Sequence, residues 1–309
     1  MPADPPVVGI DLGATNMQFG VVDGANRIVG RSRGKTEASG GISTVLANMD
    51  RGVRGACAAA GIPLADIAGI GVAAAGAIDV SQGVVLDAPN LCWSNVPLAD
   101  MLKSTFRRPI ALDNDVNGAV WAEHILGAGR GRGDMLGVWV GTGVGGGLVL
   151  GGRLYHGGFF TAGEIGLTVI RPDGGPGERT LEDLCSRTGM LKRMADRLPD
   201  RPPPADTAGL ASACAAGEEP AVSVVNEAAD LLGVAIANWV TGLSLKTVVI
   251  GGGVTEVLGT PYLKRIHRSF TANVFPDRCR GCALKMTQLA ADSGLLGAAL
   301  LAREMAASR

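Results

Sequence analysis

"GVWVGTGVGGGLVL", residues 137–150, places six glycines in a run that otherwise reads as β-strand. Val138, Trp139, Val140, Val144, Leu148 and Val149 are strand formers. Glycine weakens a strand unless a turn, a bulge or a close backbone approach requires it. A glycine turn between two strands presents consecutive backbone N–H groups with no Cβ to hold a ligand off, which suits an anion and phosphate above all. The pattern is not a P-loop, because G-x-x-x-x-G-K-[ST] is absent. Nor is it G-x-G-x-x-G opening a helix, because another strand follows Gly147.

The same form occurs earlier in the chain. Laid over each other, "VGIDLGATNMQFGVV" (8–22) and "LGVWVGTGVGGGLVL" (136–150) share glycines at 9/137 and 13/141 and valine at 21/149. Two such segments, each opening a half of the chain, predict a pair of similar α/β domains facing each other across a cleft. Hydrophobic spacing predicts strands over 7–11, 18–22, 27–31, 67–73, 110–112, 135–140, 147–150, 247–250 and 283–287. It predicts helices over 42–60, 114–126 and 218–244 and from 293 onward, with a Pro-rich break at 201–204. The two turns differ in one respect: the first carries Asp11 and Thr15, the second Thr142. An acidic side chain beside a phosphate nest requires a cation between them, and Mg²⁺ with ATP supplies one.

Composition narrows the classes. The 309 residues, 47% hydrophobic and 18% charged, are globular in character and sufficient for two domains with cores. A net charge of −1 gives no electrostatic footprint for nucleic acid or an anionic membrane. The opening MPADPPVVGID has no basic region and no long apolar run, unlike a signal peptide. The apolar stretch 231–254 is interrupted by Asn238, Thr241, Ser244 and Lys246, as in a buried helix followed by a strand. The six cysteines lack framework spacing, so reduced thiols and a cytoplasmic location are expected. Cys279 and Cys282 form a lone C-x-x-C, too few ligands for a zinc site.

"DNDVN" (113–117) offers two carboxylates where a strand gives way to a helix. Asp113 or Asn114 suits the helix cap, which leaves Asp115 for chemistry. A helix N-terminus favours the charged carboxylate, at some loss of basicity.

"GIDLGATN" (9–16), "LDNDVNGAVWAE" (112–123), "WVGTGVGGGLVLGGRLYHG" (139–157), "GEIG" (163–166), "VVIGGGV" (248–254) and "SGLLGAALLA" (293–302) follow in one order over nearly the whole chain. Together they resemble the ROK family of sugar kinases and sugar-responsive repressors. The resemblance implies the actin-like ATPase (ribonuclease H-like) fold. It implies a small α/β domain over 1–112 joined by a C-terminal helix over 293–309, and a large α/β domain over 113–292. It further implies an ATP-dependent hexose kinase, with glucose converted to glucose 6-phosphate as the first choice. N-acetylhexosamine, mannose, fructose or allose are alternatives, as is a sugar sensor without turnover. Asp115 maps onto the family's catalytic base. Asn90, Asn114, Asp115, Glu164 and Glu182 map onto the sugar-binding set. Asp11, Gly13 and Thr15 in one turn, and Gly141, Thr142 and Gly143 in the other, would hold the ATP phosphates, with Asp11 meeting Mg²⁺ through ATP. Gly251, Gly252 and Gly253, at the start of a helix, would support the adenosine. Family habit implies a homodimer. Family repressors carry a winged helix ahead of the kinase-like part, whereas six residues precede the first strand here, so no nucleic-acid partner is expected. A chaperone-like ATPase of this fold would leave "DNDVN" and "GEIG" without a purpose.

The chain also departs from the family pattern. Most members follow "GEIG" with histidine and then a C-x-C-G zinc cluster. Here Leu167 takes the histidine position and no cysteine lies between Cys92 and Cys185. The replacement loop, "RPDGGPGERT", cannot form a thiolate cage. It is expected to bind no zinc, to be held by turns at Gly174–Gly177 and by packing of Leu167, and to be more mobile than a metal-bearing loop. Arg179 and Asp183 read as surface charges. In "AAAGAID" (73–79), Ala75 stands where the family usually has proline.

Overall fold

The computed structural model describes residues 4–198, 200 and 202–308. Arg201 of the Pro-rich break, the first three residues of the opening segment and position 309 of the closing helix lie outside the described residues. The chain forms two compact units. The first comprises the chain up to Glu123, the short segment His156–Thr161 and the chain from Ala291 on. The second comprises His124–Tyr155 and Ala162–Ala290. The first unit thus runs past 112 to include most of the helix that carries Asp115.

That unit opens with an antiparallel meander, β1 (Val7–Leu12), β2 (Asn16–Val22) and β3 (Ile28–Lys35), followed by α1 (Ile42–Ala60) and β4 (Ile70–Ala74). A small antiparallel sheet follows, β5 (Ala77–Asp79), β6 (Val84–Ala88) and β7 (Trp93–Val96). Then come α2 (Leu98–Phe106), β8 (Ile110–Asn114) and α3 (Asp115–Ile125). The main sheet has the order β3-β2-β1-β4-β8, with β1, β4 and β8 mutually parallel. β1 reads VVGIDL and is almost wholly buried, as a strand covered on both faces should be. Val45, Met49, Val53 and Ala56 turn the apolar side of α1 to the core. Gly52 lets α1 settle onto Phe19, whose ring would stand 2.2 Å from a Cβ there.

The second unit holds β9 (Met135–Val140), β10 (Val144–Leu150) and β11 (Arg153–Leu154). After these come α4 (Leu181–Cys185), α5 (Arg187–Arg197), α6 (Thr207–Ala215), α7 (Ala221–Leu243), β12 (Thr247–Gly251), α8 (Gly253–Asn273) and β13 (Ala283–Met286). Its sheet has the order β11-β10-β9-β12-β13, with β9, β12 and β13 parallel. This is the topology of the first sheet repeated. In both units the opening hairpin is a six-residue strand, a three-residue turn and a seven-residue strand, so the sequence overlay of 8–22 on 136–150 is structural. α7 is long and apolar enough to cross a membrane, but Val224, Ala228, Leu232 and Ile236 are buried in this unit's core.

The chain then returns to the first unit as α9 (Ser293–Ala307). Backbone of α9 lies directly on β1 and β4. A Cβ on Gly9 would come within 2.1 Å of the Leu295 carbonyl oxygen, and one on Gly71 within 1.7 Å of that of Ala298.

Several elements differ from expectation. β10 starts at Val144 rather than at 147, and β3 extends to Lys35. The strand expected from 67 begins at Ile70, after a 3₁₀ turn over Leu64–Asp66. The sheet β5–β7, strand β11 and helices α2, α4, α5 and α6 have no counterpart in the spacing analysis, and α8 follows only from the family resemblance, as the helix opening at Gly251–Gly253.

Candidate active site

The β1–β2 turn is closed by Gly13 N–H donating to the Asn16 carbonyl at 3.2 Å. The buried Thr36 braces it, its Oγ1 donating to the Gly13 carbonyl at 2.7 Å. Thr15 is exposed at the tip, and Lys35 Nζ donates to Asn16 Oδ1 at 2.9 Å. At the end of β1, the Asp11 carboxyl is pushed up to about 6 by burial and by the charge of Asp115, against a hydrogen bond from Gln18. The charge of Asp115 disfavours that of Asp11, and a cation beside Asp11 would relieve it.

Where β8 becomes α3, Asn114 is the cap: its Oδ1 accepts from the N–H groups of Val116 at 2.9 Å and Asn117 at 3.1 Å. Its Nδ2 donates to the Gly76 carbonyl at 3.0 Å. Asp113 takes a different part. Its Oδ1 accepts from Asn114 N–H at 2.7 Å and from Asn117 Nδ2 at 3.0 Å, and its Oδ2 lies 2.7 Å from His156 Nε2. Asp113 in turn raises the His156 imidazole above its ordinary range. Sequence reading gave His156 no part here, since no local pattern links positions 113 and 156. The freed residue is Asp115, whose Oδ1 accepts from Val116 N–H at 3.0 Å. Burial pushes its carboxyl up, outweighing the helix-terminal N–H groups that pull it down. The loss of basicity expected from the helix terminus is therefore reversed. Asn90 is exposed, in a 3₁₀ turn over Pro89–Leu91.

In the second unit the Gly141–Gly143 turn is tied to its own unit. Gly141 N–H donates to the Gly143 carbonyl at 2.8 Å, and Glu182 Oε2 accepts from Val144 N–H at 2.9 Å. Among the described residues, the N–H groups of Thr142 and Gly143 keep no protein partner. The glycines answer to different neighbours. A Cβ on Gly143 would meet Glu182 Oε2 at 2.3 Å, and one on Gly146 would meet the Gly163 carbonyl at 2.3 Å. A Cβ on Gly166 would meet the Val144 carbonyl at 1.8 Å. The glycines of β10 and of "GEIG" thus let the Glu164 loop lie flush on the strand. Gly141 alone in the turn opens onto free space. Glu182 and the partly buried Glu164 belong to this same unit. Gly252, with φ 90°, turns β12 into α8 and Gly251 packs against Trp139, while Gly253 is open. Beside α8 a cavity of about 540 Å³ is walled by Val222, Val225, Val257, Leu258 and Tyr262, with Ser212, Asn226 and Arg265 adding polar groups.

The loop after "GEIG" corrects one expectation. Leu167 is 61% exposed and packs nothing in place. The segment is instead a hairpin: Ile170 N–H donates to the Arg179 carbonyl at 2.9 Å and Leu181 N–H to the Thr168 carbonyl at 3.0 Å. Arg171 reaches Glu227 on α7, where Arg193 and Arg197 also converge. Asp183 is a cap rather than a free surface charge, closing a capping box with Thr180. Among the described residues, no group of three or more His, Cys, Asp or Glu is placed to hold a metal ion.

Two sheets of one topology, each opened by a glycine-turned hairpin, with a buried carboxyl at a helix start, define an actin-like ATPase fold. Comparison with known proteins names the branch. The ROK family model matches residues 7–305, and the chain belongs to the ROK family. It is 32% identical to a glucokinase of Halalkalibacterium halodurans over 96% of this chain and 94% of the relative. The crystal structure of a ROK hexokinase from Thermus thermophilus superposes with a TM-score of 0.85 at 31% identity, covering 98% of this chain and 100% of that one. A ROK glucokinase from Streptomyces griseus, solved with glucose and AMPPNP, gives 0.81 at 28% identity, covering 97% and 99%.

Proposed function

We propose that this protein is an ATP-dependent hexose kinase converting glucose to glucose 6-phosphate, with Asp115 as the catalytic base. The placement of Asp115 at the start of α3, left free for chemistry because Asn114 supplies the helix cap, is the observation that carries the reading. Asp115 Oδ1 is occupied by Val116 N–H, so Oδ2 is the atom that accepts the proton of the sugar hydroxyl. The freed oxygen bonds to the γ-phosphorus as the bond to ADP breaks. A base of raised pKa holds that proton better at neutral pH. Asn90, Asn114, Glu164 and Glu182 grip the sugar hydroxyls. The Asp11–Thr15 and Gly141–Gly143 turns hold the phosphates, and the open Gly253 with the cavity beside α8 takes the adenosine. Asp11 fits a Mg²⁺ ion bound through one carboxylate and the ATP phosphates. That ion neutralises phosphate charge when bound.

The test is ADP release, coupled to a colour reaction, over a panel of glucose, mannose, fructose, allose and N-acetylhexosamines. Turnover with glucose well above the others is the expected result. Preference for another hexose moves the substrate assignment within the family. Saturable sugar binding with no ADP release from any hexose overturns the kinase reading in favour of a sensor.

A further inference from the structure

One cation of the second unit stands against the Gly141–Gly143 turn. Arg187, the first residue of α5, donates its backbone N–H to the Gly141 carbonyl at 2.8 Å. Its Nη2 donates to Thr142 Oγ1 at 2.8 Å. The neighbouring Thr188 Oγ1 donates to the Thr142 carbonyl at 2.9 Å. Three bonds therefore fix this side chain and its helix to the tip of the turn. Among the described residues no carboxylate pairs with Arg187. By contrast, Arg171, Arg193 and Arg197 share Glu227, and Arg265 pairs with Asp230. Even Glu182, which holds the Val144 N–H at the start of β10 beside the turn, is not a partner of Arg187. A guanidinium has five N–H donors, and one is spent on Thr142.

We propose that Arg187 binds the polyphosphate of the nucleotide, a contribution that rests on the reading of Gly141–Gly143 as a phosphate turn. The planar fork of arginine matches phosphate oxygens two at a time, and it brings a full charge where the turn's N–H groups bring partial ones. The bond to Thr142 adds direction. A threonine hydroxyl that accepts from Arg187 keeps its own proton to donate, so the two side chains present donors side by side to one anion.

Calorimetric titration of the full chain with AMP, ADP and AMPPNP in the presence of Mg²⁺ tests this, on wild type, Arg187→Gln and Arg187→Lys. Wild type is expected to gain affinity as phosphates are added. Arg187→Gln is expected to lose tenfold or more for ADP and AMPPNP, on the order of one charge-assisted contact, with AMP and glucose changed less than about twofold. Arg187→Lys, a point charge without the fork, is expected to fall between. If wild type gains with added phosphates and both variants keep that gain, Arg187 has no such role and the turn reading stands. Equal loss for all three nucleotides also overturns the proposal, since it marks a general disturbance of the site. If wild type itself gains nothing from added phosphates, the turn reading fails and this proposal fails with it.

Discussion

Asp11 and Asp115 are both pushed up by burial, and the charge of Asp115 raises Asp11 further. Asp115→Asn keeps the size and the acceptor for Val116 N–H but removes the proton acceptor. kcat is expected to fall by on the order of 10²-fold or more, with equilibrium glucose binding largely kept. Turnover near wild type would pass the role to Asp113. Asp11 makes a stability prediction of opposite colour. A carboxyl of about 6 in the folded chain and near 3.9 unfolded binds more protons when folded. It therefore costs nothing well below pH 4, and its cost grows as pH rises to about 7. Asp11→Asn removes that titration. Urea unfolding should show its advantage over wild type growing by about 1–3 kcal/mol between pH 4 and pH 7.5, while phosphorylation is lost. A constant gap across that range would count against the burial of Asp11's charge. The types of these residues were legible in "GIDLGATN" and "DNDVN". Their electrostatics were not, because burial is a property of the packed unit. His156 was hidden for the same reason: its partner Asp113 lies on another element.

Among elements, the hairpins were legible because strand formers bracket a glycine turn at both 8–22 and 136–150. The sheet β5–β7 escaped notice because its strands have three to five residues and are separated by turn-forming Ser-Gln-Gly and Pro-Asn. The start of β10 was read too late, since its glycines looked like turn and are instead clearance for the Gly163–Gly166 loop. The hairpin between Thr168 and Leu181 is the element on which the absence of the family's cysteine cluster bears most directly. Cross-strand bonds and the anchor of Arg171 on Glu227 hold this segment through protein groups. Purified protein is expected to contain no stoichiometric zinc, and activity after exhaustive chelation should return with Mg²⁺ alone. Elemental analysis and that add-back experiment check it, and activity restored only by zinc would refute it. Leu167 is exposed, so burial of that side chain adds no stability here.

At the scale of the molecule, the two glycine turns belong to different units, and the chain passes between the units after Glu123, Tyr155, Thr161 and Ala290. A reading in which both turns share one ATP requires sugar and nucleotide to help each other. Glucose should tighten AMPPNP severalfold, and AMPPNP should tighten glucose by the same factor, as linkage demands. Calorimetry with each ligand alone and in the presence of the other measures both sides, and a factor of one would mean that the units bind independently. The interleaving has a consequence for biosynthesis as well. Gly9 and Gly71 are shaped to receive the backbone of α9, a helix that begins at Ser293, far along the chain from β1. While the chain is still on the ribosome, β1 and β4 wait with one apolar face bare. All strands of the first sheet are made by residue 114, but the second unit, made by residue 290, has its full complement of elements before α9 emerges to cover β1 and β4. The first unit is thus closed only by the last helix of the chain, and that interval exposes nascent chains to capture by chaperones or by one another.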